Sequence, residues 1–194
     1  ILKKRKNLRI MEIKNMERLA DFVAKHAVDF TSLIDGGLVV QWSFVPEVRS
    51  KEKLIKAETD YKGKHYEIKR MPNDREYEDM VFGWLVISGV TSNSVIYVKD
   101  GVTIGIGTGE QDRVGVAEIA RDKAYKKMAE RLSWENHKKN YGDISDYEKK
   151  EIDAAVREER GGIKGSVMIS DAFFPFRDGV DVGIREGITA VLEP

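Results

Sequence analysis

The sequence contains no cysteine among its 194 residues. This absence excludes disulfide bonds, thiolate-bound zinc, iron–sulfur clusters and a cysteine nucleophile, and nothing in the composition marks an oxidising compartment. An excess of charge of one sign is also lacking, because 33 Lys and Arg residues balance 33 Asp and Glu residues. Without a net basic field, sequence-independent binding to nucleic acid or to an anionic membrane is disfavoured.

Long hydrophobic runs are missing as well. The longest apolar stretches, residues 80–90 and 163–169, fall short of the roughly 20 residues that a membrane-spanning helix needs. The first residues, 1–6, are too basic and too short of apolar sequence for a signal peptide. We therefore expect a cytoplasmic protein that makes no membrane contact. Because the sequence begins with Ile1 and stops at Pro194 just after an apolar run, we also expect a segment of a longer protein.

Hydrophobic periodicity predicts strands that alternate with helices along most of the chain. Asn15 is a suitable helix cap between a strand over residues 7–13 and a helix that reaches Ala27. Asp100-Gly101 between two apolar alternations is a strong hairpin signal. Further strands are predicted at residues 38–42, 65–68, 94–98, 102–106, 165–169 and 188–192, and further helices at 73–90, 112–132 and 180–185. This order favours an α/β layer structure around a mixed sheet.

Two of these helices carry detailed signals. Asn73 and Glu76 have the spacing of a capping box. The helix at 112–132 is predicted to direct one side towards the core: Val116, Ile119, Ala120, Lys123 and Ala124. Residues 48–70 are rich in charge and suggest an exposed connection, and residues 133–159 suggest a charged, mostly solvated helical segment.

The run Gly105-x-Gly107-x-Gly109 stands between a predicted strand and a predicted helix. Exposed backbone N–H groups at such a junction can hold an anion. The spacing matches neither the Rossmann fingerprint nor a phosphate-binding P-loop, so the motif alone favours glycines that permit a tight turn. Arg113, just beyond the run, favours the anion site, since a guanidinium can bind phosphate through two bonds.

The segment Ser170-Asp171-Ala172-Phe173-Phe174-Pro175-Phe176-Arg177-Asp178-Gly179 is the most unusual stretch. A loop that follows a strand is where an α/β sheet tends to bind ligands. Its aromatic side chains fit either a pocket for a flat ring or a plug that fills the core. The flanking carboxylates of Asp171 and Asp178 favour the pocket. By contrast, His26, His65 and His137 show no metal-ligand spacing in the sequence and are interpreted as surface or helix-end residues.

Two stretches closely resemble the transformylase region of the bifunctional phosphoribosylaminoimidazolecarboxamide formyltransferase / IMP cyclohydrolase family. They are residues 92–113, SNSVIYVKDGVTIGIGTGEQDR, and residues 170–178, SDAFFPFRD. Asn7-Leu8-Arg9 and residues 36–41 also follow the family's order. The resemblance covers nearly the whole chain except a stretch at about residues 131–160, which is interpreted as an insertion.

The resemblance implies a three-layer, cytidine-deaminase-like α/β fold with a mixed sheet and helices on both faces, as one part of a duplicated-lobe domain. Residues 1–194 would form the C-terminal part of the transformylase domain, truncated at both ends. The implied reaction belongs to purine biosynthesis: formyl transfer from 10-formyltetrahydrofolate to 5-aminoimidazole-4-carboxamide ribonucleotide (AICAR), without a metal. The implied assembly is a homodimer with shared active sites.

The resemblance also implies roles for individual residues. Asn93 would lie against the carboxamide of the nucleotide and support catalysis, and Arg113 would reach the nucleotide in the partner subunit's site. Val114 and Phe173 would contact the folate, and Asp178 would bind the amine edge of its pterin. The family's catalytic Lys-His pair lies upstream of this chain, and a further nucleotide-binding Arg lies beyond Pro194.

Two other functions compete with this one. A non-catalytic nucleotide-binding module on the same scaffold would keep the binding residues and lack the upstream Lys-His pair. A zinc-dependent nucleobase deaminase would share the implied fold. The deaminase is remote, because the H-x-E and P-C-x-x-C residues that hold its zinc and move its proton are missing.

Overall fold

The computed structural model describes residue 9, residues 11–18 and residues 25–194. The chain divides into two compact units, Ile1–Glu47 and Val48–Pro194. The strand predicted over residues 7–13 and the helix predicted over residues 15–27 lie partly outside the described residues. Of the described part, residues 11–13 form no strand, residues 16–18 form a short 3-10 turn, and residues 25–27 are not helical. Among the described helices, none has the length and apolar character needed to cross a bilayer.

The first unit contains an antiparallel hairpin of strands β1 (Val28–Ser32) and β2 (Leu38–Trp42). The predicted strand at residues 38–42 is confirmed. Asp35 closes the turn, because its Oδ1 accepts a hydrogen bond from the Gly37 N–H at 2.9 Å. Both strands carry exposed side chains, including Phe30 and Trp42.

The second unit is built on a four-stranded sheet. Its strands are β5 (Ser94–Lys99), β6 (Val102–Thr108), β7 (Val167–Ser170) and β8 (Ala190–Leu192), which lie in the order β6-β5-β7-β8. The helices of this unit are α1 (Asp74–Ile87), α2 (Arg113–His137), α3 (Asp146–Glu158) and α4 (Arg177–Arg185). Strand β5 is antiparallel to both of its neighbours, whereas β7 and β8 are parallel. The sheet is therefore mixed, as the sequence predicts.

Alternate residues of the central strands face two separate cores. Val95 and Tyr97 contribute to one hydrophobic cluster with residues of α2 and α4. Ile96 and Val98 contribute to another with residues of α1. Because helices cover both faces of the sheet, the second unit has three layers, α/β/α.

Helix α1 begins with the predicted capping box: the Asn73 side chain accepts from the Glu76 N–H, and Glu76 accepts from the Asn73 N–H. The Glu76 carboxylate is buried and is bound by both terminal nitrogens of Arg70, at 2.7 and 3.0 Å. The hydrogen bonds from Arg70 lower the pKa of Glu76 to about 2, against the opposing effect of burial. Arg70 also donates to the Thr189 carbonyl at 2.8 Å. This bond links the start of α1 to the residue just before β8.

Asp79 of α1 holds the turn of the β5–β6 hairpin. Its carboxylate is 1% exposed and accepts hydrogen bonds from the backbone N–H groups of Asp100 and Gly101, at 3.0 and 2.7 Å. Arg75 lies 3.3 Å from the same carboxylate and donates to the Gly165 carbonyl. A buried charge must be paired or hydrogen-bonded, and here those bonds fix the far end of the sheet.

Helix α2 lies directly against the backbone of β6. A Cβ atom on Gly105 would stand 2.0 Å from the Ala120 carbonyl oxygen, and one on Gly107 would stand 2.0 Å from the Val116 carbonyl oxygen. No side chain fits between the two backbones. Gly109 differs, because it has open space around it and a φ of +69°. Of the three glycines of the run, it is therefore the one that permits the predicted tight turn.

Three predictions about elements are corrected by the structure. Residues 48–70 include an exposed hairpin, β3 (Glu58–Tyr61) and β4 (Lys64–Glu67), rather than a connection with one short strand. Lys123 is exposed, and Ala117 takes its place on the buried side of α2. Residues 133–159 are not simply solvated, since Ile152 and Val156 of α3 form a small core with Met128 of α2.

Gly107→Ala should destabilise the second unit by about 3 kcal/mol, because the new methyl group would overlap the Val116 carbonyl. Gly142→Ala is the matched control, since a Cβ there would have no heavy atom within 4 Å, and it should change stability by less than about 0.5 kcal/mol. Urea unfolding measures both effects. Equal stability of the two variants would contradict the close contact of α2 with β6.

Candidate functional site

The candidate site lies at one end of the sheet. The start of β5 stands between the ends of β6 and β7, because Ser94 pairs with Thr108 and Val95 pairs with Ser170. Helix α2 begins close to the end of β6, and α4 begins after the loop that follows β7. Ligands of open α/β sheets bind beyond the carboxyl ends of strands, so this edge is the expected place for a site.

Asn93 is held in a defined orientation just before β5. Its side-chain Nδ2 donates to the carbonyl oxygens of Glu110 at 3.0 Å and Gln111 at 3.1 Å. The Ser92–Asn93 peptide bond is cis. With both Nδ2 donors used, the Oδ1 of Asn93 is the group that remains for a ligand, since it has no hydrogen-bond partner in the described part of the chain.

Arg113, the first residue of α2, forms an ion pair with Asp171 at the end of β7. The two side chains are 14% and 16% exposed. Both hydrogen bonds of the Arg113 guanidinium come from Nη1, one to the Asp171 carboxylate and one to the Ser170 hydroxyl at 3.3 Å. Nε and Nη2 have no partner among the described residues, so one edge of the guanidinium is available to an anion or a carbonyl.

Asp171 joins Arg113 to the loop before β5. Its second carboxylate oxygen accepts a hydrogen bond from the Ser92 hydroxyl at 2.5 Å. Burial acts to raise the pKa of Asp171, but hydrogen bonds from Ser92, Arg113 and the Ser94 backbone outweigh burial and hold the pKa below its ordinary value. Asp171 therefore stays ionised at neutral pH and positions both partners.

The sequence left open whether the aromatic loop lines a pocket or fills the core, and the loop contains residues of both kinds. Phe174 packs against the hydrophobic cluster beneath α2 and α4. Phe173 and Phe176 are 62% and 74% exposed, so their rings are accessible to a ligand. Asp178 is exposed in the first turn of α4, and its Oδ1 accepts from the Gly179 N–H at 2.9 Å. Val114 is half-buried and packs against the same cluster as Phe174.

The N–H groups around the start of α2 are largely satisfied within the chain. Asp112 caps the helix and accepts from the Gly115 N–H at 2.7 Å. The Gln111 N–H donates to the Glu110 side chain, and the Gly109 N–H donates to the Thr91 carbonyl. The glycine run therefore offers few free N–H groups to a phosphate, and the cation at this position is the Arg113 guanidinium.

The three histidines have partners of their own among the described residues. His26 contacts the Ser43 carbonyl at 3.1 Å, and His137 ends α2 and contacts Glu148. The structure corrects one point about His65: the β3–β4 hairpin brings it together with Glu58 and Glu67, with ligand atoms within 4.8 Å of one another. All three are exposed, and the Lys56 ammonium contacts both carboxylates, so one of their two negative charges is already compensated.

Sequence reasoning missed the contributions of three residues at the site. Ser92 and Asp171 lie within the two motifs, but Asp171 bonds Ser92, 79 residues away, and Arg113, 58 residues away. Ser94 is fully buried, and its hydroxyl has no hydrogen-bond partner in the residues described. Only the strand pairing that brings these segments together could reveal the arrangement.

These features define a class: a three-layer α/β domain with a polar and aromatic ligand site at the carboxyl ends of its strands. Comparison with known proteins gives the family. The model of the AICARFT/IMPCHase bienzyme family matches residues 1–123, and the chain belongs to that family.

A similar protein is the bifunctional purine biosynthesis protein PurH of Thermoanaerobacter sp. (strain X514). It is 31% identical over 195 aligned residues, which cover 100% of this chain and 28% of the relative. The chain thus spans less than a third of the length of that curated relative.

Arg113 and Asp171 should be energetically coupled. In a double-mutant cycle of Arg113→Ala and Asp171→Ala, we expect a coupling energy of about 1–3 kcal/mol, because both groups are largely buried and directly bonded. The control pair is Arg121 and Glu118 on α2, which are 3.7 Å apart and more exposed, and should couple by less than about 0.5 kcal/mol. Urea unfolding gives these values. Additive effects of Arg113→Ala and Asp171→Ala would contradict the pairing.

Proposed function

We propose that this chain is the nucleotide- and folate-binding part of an AICAR transformylase, which transfers a formyl group from 10-formyltetrahydrofolate to AICAR in purine biosynthesis. The observation that carries the proposal is the arrangement of Asn93, Arg113 and the exposed aromatic loop at one edge of the sheet. Family membership supports it, since the family model is named for this transformylase together with IMP cyclohydrolase.

The nucleotide would bind on the side of Asn93 and Arg113. The free edge of the Arg113 guanidinium can donate two hydrogen bonds to an anionic or carbonyl group. The Asn93 Oδ1 can accept from the carboxamide or amine of AICAR. The Asp171 carboxylate keeps Arg113 in place and keeps the Ser92 loop beside it, so the two nucleotide contacts are arranged in advance.

The folate would bind on the side of the aromatic loop. The exposed rings of Phe173 and Phe176 offer apolar surface to a flat pterin, and the exposed Asp178 carboxylate offers an acceptor for its amine edge. Val114 borders the same region from the first turn of α2. These groups fit a flat heterocycle with exocyclic amines. When bound, the cosubstrate supplies the formyl group.

The chemistry needs more than this chain provides. The amine of AICAR is a weak nucleophile because its lone pair is delocalised into the ring. Formyl transfer therefore needs a base for the amine proton and a donor for the oxygen that gains charge. The resemblance assigns these tasks to the upstream Lys-His pair. The residues of this chain would bind both ligands and orient the amine towards the formyl carbon.

The finer features of the resemblance are part of the same proposal. The three-layer unit would be one cytidine-deaminase-like lobe of a duplicated domain, with residues 131–160 as an insertion. The active protein would be a cytoplasmic homodimer with shared active sites, in which the nucleotide beside Arg113 and Asn93 lies in the partner subunit's site. The support for these points is the mixed sheet with helices on both faces and the family to which the chain belongs.

A non-catalytic nucleotide-binding module is the second candidate. The observation in its favour is that the groups at this edge, Asn93, Arg113 and the aromatic loop, are suited to binding and orienting a ligand rather than to proton transfer. It predicts that the full-length protein binds AICAR with normal stoichiometry but produces no formylated nucleotide.

Steady-state kinetics of the full-length protein with AICAR and 10-formyltetrahydrofolate tests the proposal. Arg113→Ala should raise the KM for AICAR at least about tenfold, because an ion-pairing contact to the nucleotide is lost. Asn93→Ala should lower kcat about 100-fold, because Asn93 would orient the nucleotide whose amine reacts. Phe173→Ala should raise the KM for the folate and leave the KM for AICAR unchanged.

Arg121→Ala is the matched control. Arg121 lies on the same helix, is paired with the neighbouring Asp122 at 2.9 Å, and is not at the site, so its removal should leave both KM values unchanged. Full turnover by Arg113→Ala and Asn93→Ala would refute the site assignment. Binding of AICAR by the wild-type protein without turnover would favour the non-catalytic module.

A further inference from the structure

A cavity lies at the opposite end of the sheet from the proposed active site. It occupies about 570 Å³ between the β5–β6 hairpin, the middle of α2 and the turn at residues 159–162. Asn93 precedes β5 and Lys99 ends it, so roughly 17 Å of strand separates the two places. The volume is in the range of pockets that hold small organic ligands.

The walls of this cavity combine apolar and cationic groups. Val102 and Ile104 of β6 and Met128 of α2 form an aliphatic wall. Val102 is 61% exposed, so part of this wall faces water in the free protein. Lys99, Lys127 and Arg131 add three cations to the same cavity.

The cations are poorly neutralised. Lys127 has no ion-pair partner among the described residues, and Arg131 has a single long contact of 3.9 Å to Glu135. Lys127 and Arg131 are four residues apart on one helix, and Lys123 continues the row one turn earlier. Like charges at this spacing repel. Lys99 donates to the Lys164 carbonyl at 2.9 Å, which leaves its charge without a counterion.

Two carboxylates also line the cavity, but they do not cancel this charge. Asp100 lies 3.3 Å from Arg75, which also pairs with Asp79. Glu159 is the other acid of the lining. Three cations against two carboxylates leave an excess of one positive charge beside the aliphatic wall.

We propose that this cavity binds a small organic phosphate, with the phosphate between Lys99, Lys127 and Arg131 and an apolar or ring-shaped body on the aliphatic wall. The phosphate would relieve the repulsion along α2, and the body would cover Val102 and Ile104. Residues of the 131–160 segment border the cavity, so ligand binding would couple to the position of that segment. The site is separate from Asn93 and Arg113.

Isothermal titration calorimetry of the full-length protein with AMP as the probe tests this site. Adenosine and orthophosphate are the two partial probes, and each should bind more weakly than AMP. The double variant Lys127→Gln/Arg131→Gln should raise the Kd for AMP by at least about tenfold through loss of two charge contacts. The variant Arg113→Ala should retain this binding.

The control double variant is Lys126→Gln/Lys150→Gln, which removes the same charge from exposed positions that do not line the cavity. It should change the Kd less than twofold, and thermal unfolding should show that both double variants are folded. The proposal is overturned if wild-type protein binds no AMP at millimolar concentration or if both double variants weaken it equally. It is also overturned if Arg113→Ala abolishes binding, because the probe would then be in the proposed active site.

Discussion

The contact of helix α2 with strand β6 is the constraint on which the second unit depends. The two backbones approach so closely that Gly105 and Gly107 cannot carry side chains. This contact sets the height and direction of α2 above the sheet, and Val116 and Ala120 of α2 are fully buried as a result. Because a long helix is rigid, its first residue and its distant turns are placed by the same contact.

The position of α2 determines which charged side chains lie at each end of the sheet. At one end, the first residue of α2 brings the Arg113 guanidinium to Asp171, which in turn holds Ser92 beside Asn93. At the other end, the later turns of α2 place Lys127 and Arg131 above the start of β6. Asp79 fixes the hairpin at this second end through the N–H groups of the turn. The two proposed sites are thus separate in space but share one supporting helix.

The sequence predicts those features that depend on near neighbours. The Asn73–Glu76 capping box and the Asp100-Gly101 hairpin are confirmed because each is decided by residues within one turn. The function of Gly105 and Gly107 could not be predicted, since it depends on the carbonyl groups of Ala120 and Val116, which lie on a separate helix further along the chain. The same holds for the Arg113–Asp171 pair, which requires the pairing of β5 with β7. The helical period alone predicts that Lys123 faces the core, whereas α2 buries Ala117 instead.

The central claim is that Arg113 and Asn93 meet the nucleotide at the carboxyl edge of the sheet, next to a folate held by the aromatic loop. A crystal structure of the full-length protein with AICAR and a folate analogue tests it most directly. We predict the nucleotide in contact with the free edge of the Arg113 guanidinium and with Asn93, and the pterin beside Phe173 and Asp178. A nucleotide bound elsewhere, with Arg113 still occupied only by Asp171, would contradict the account.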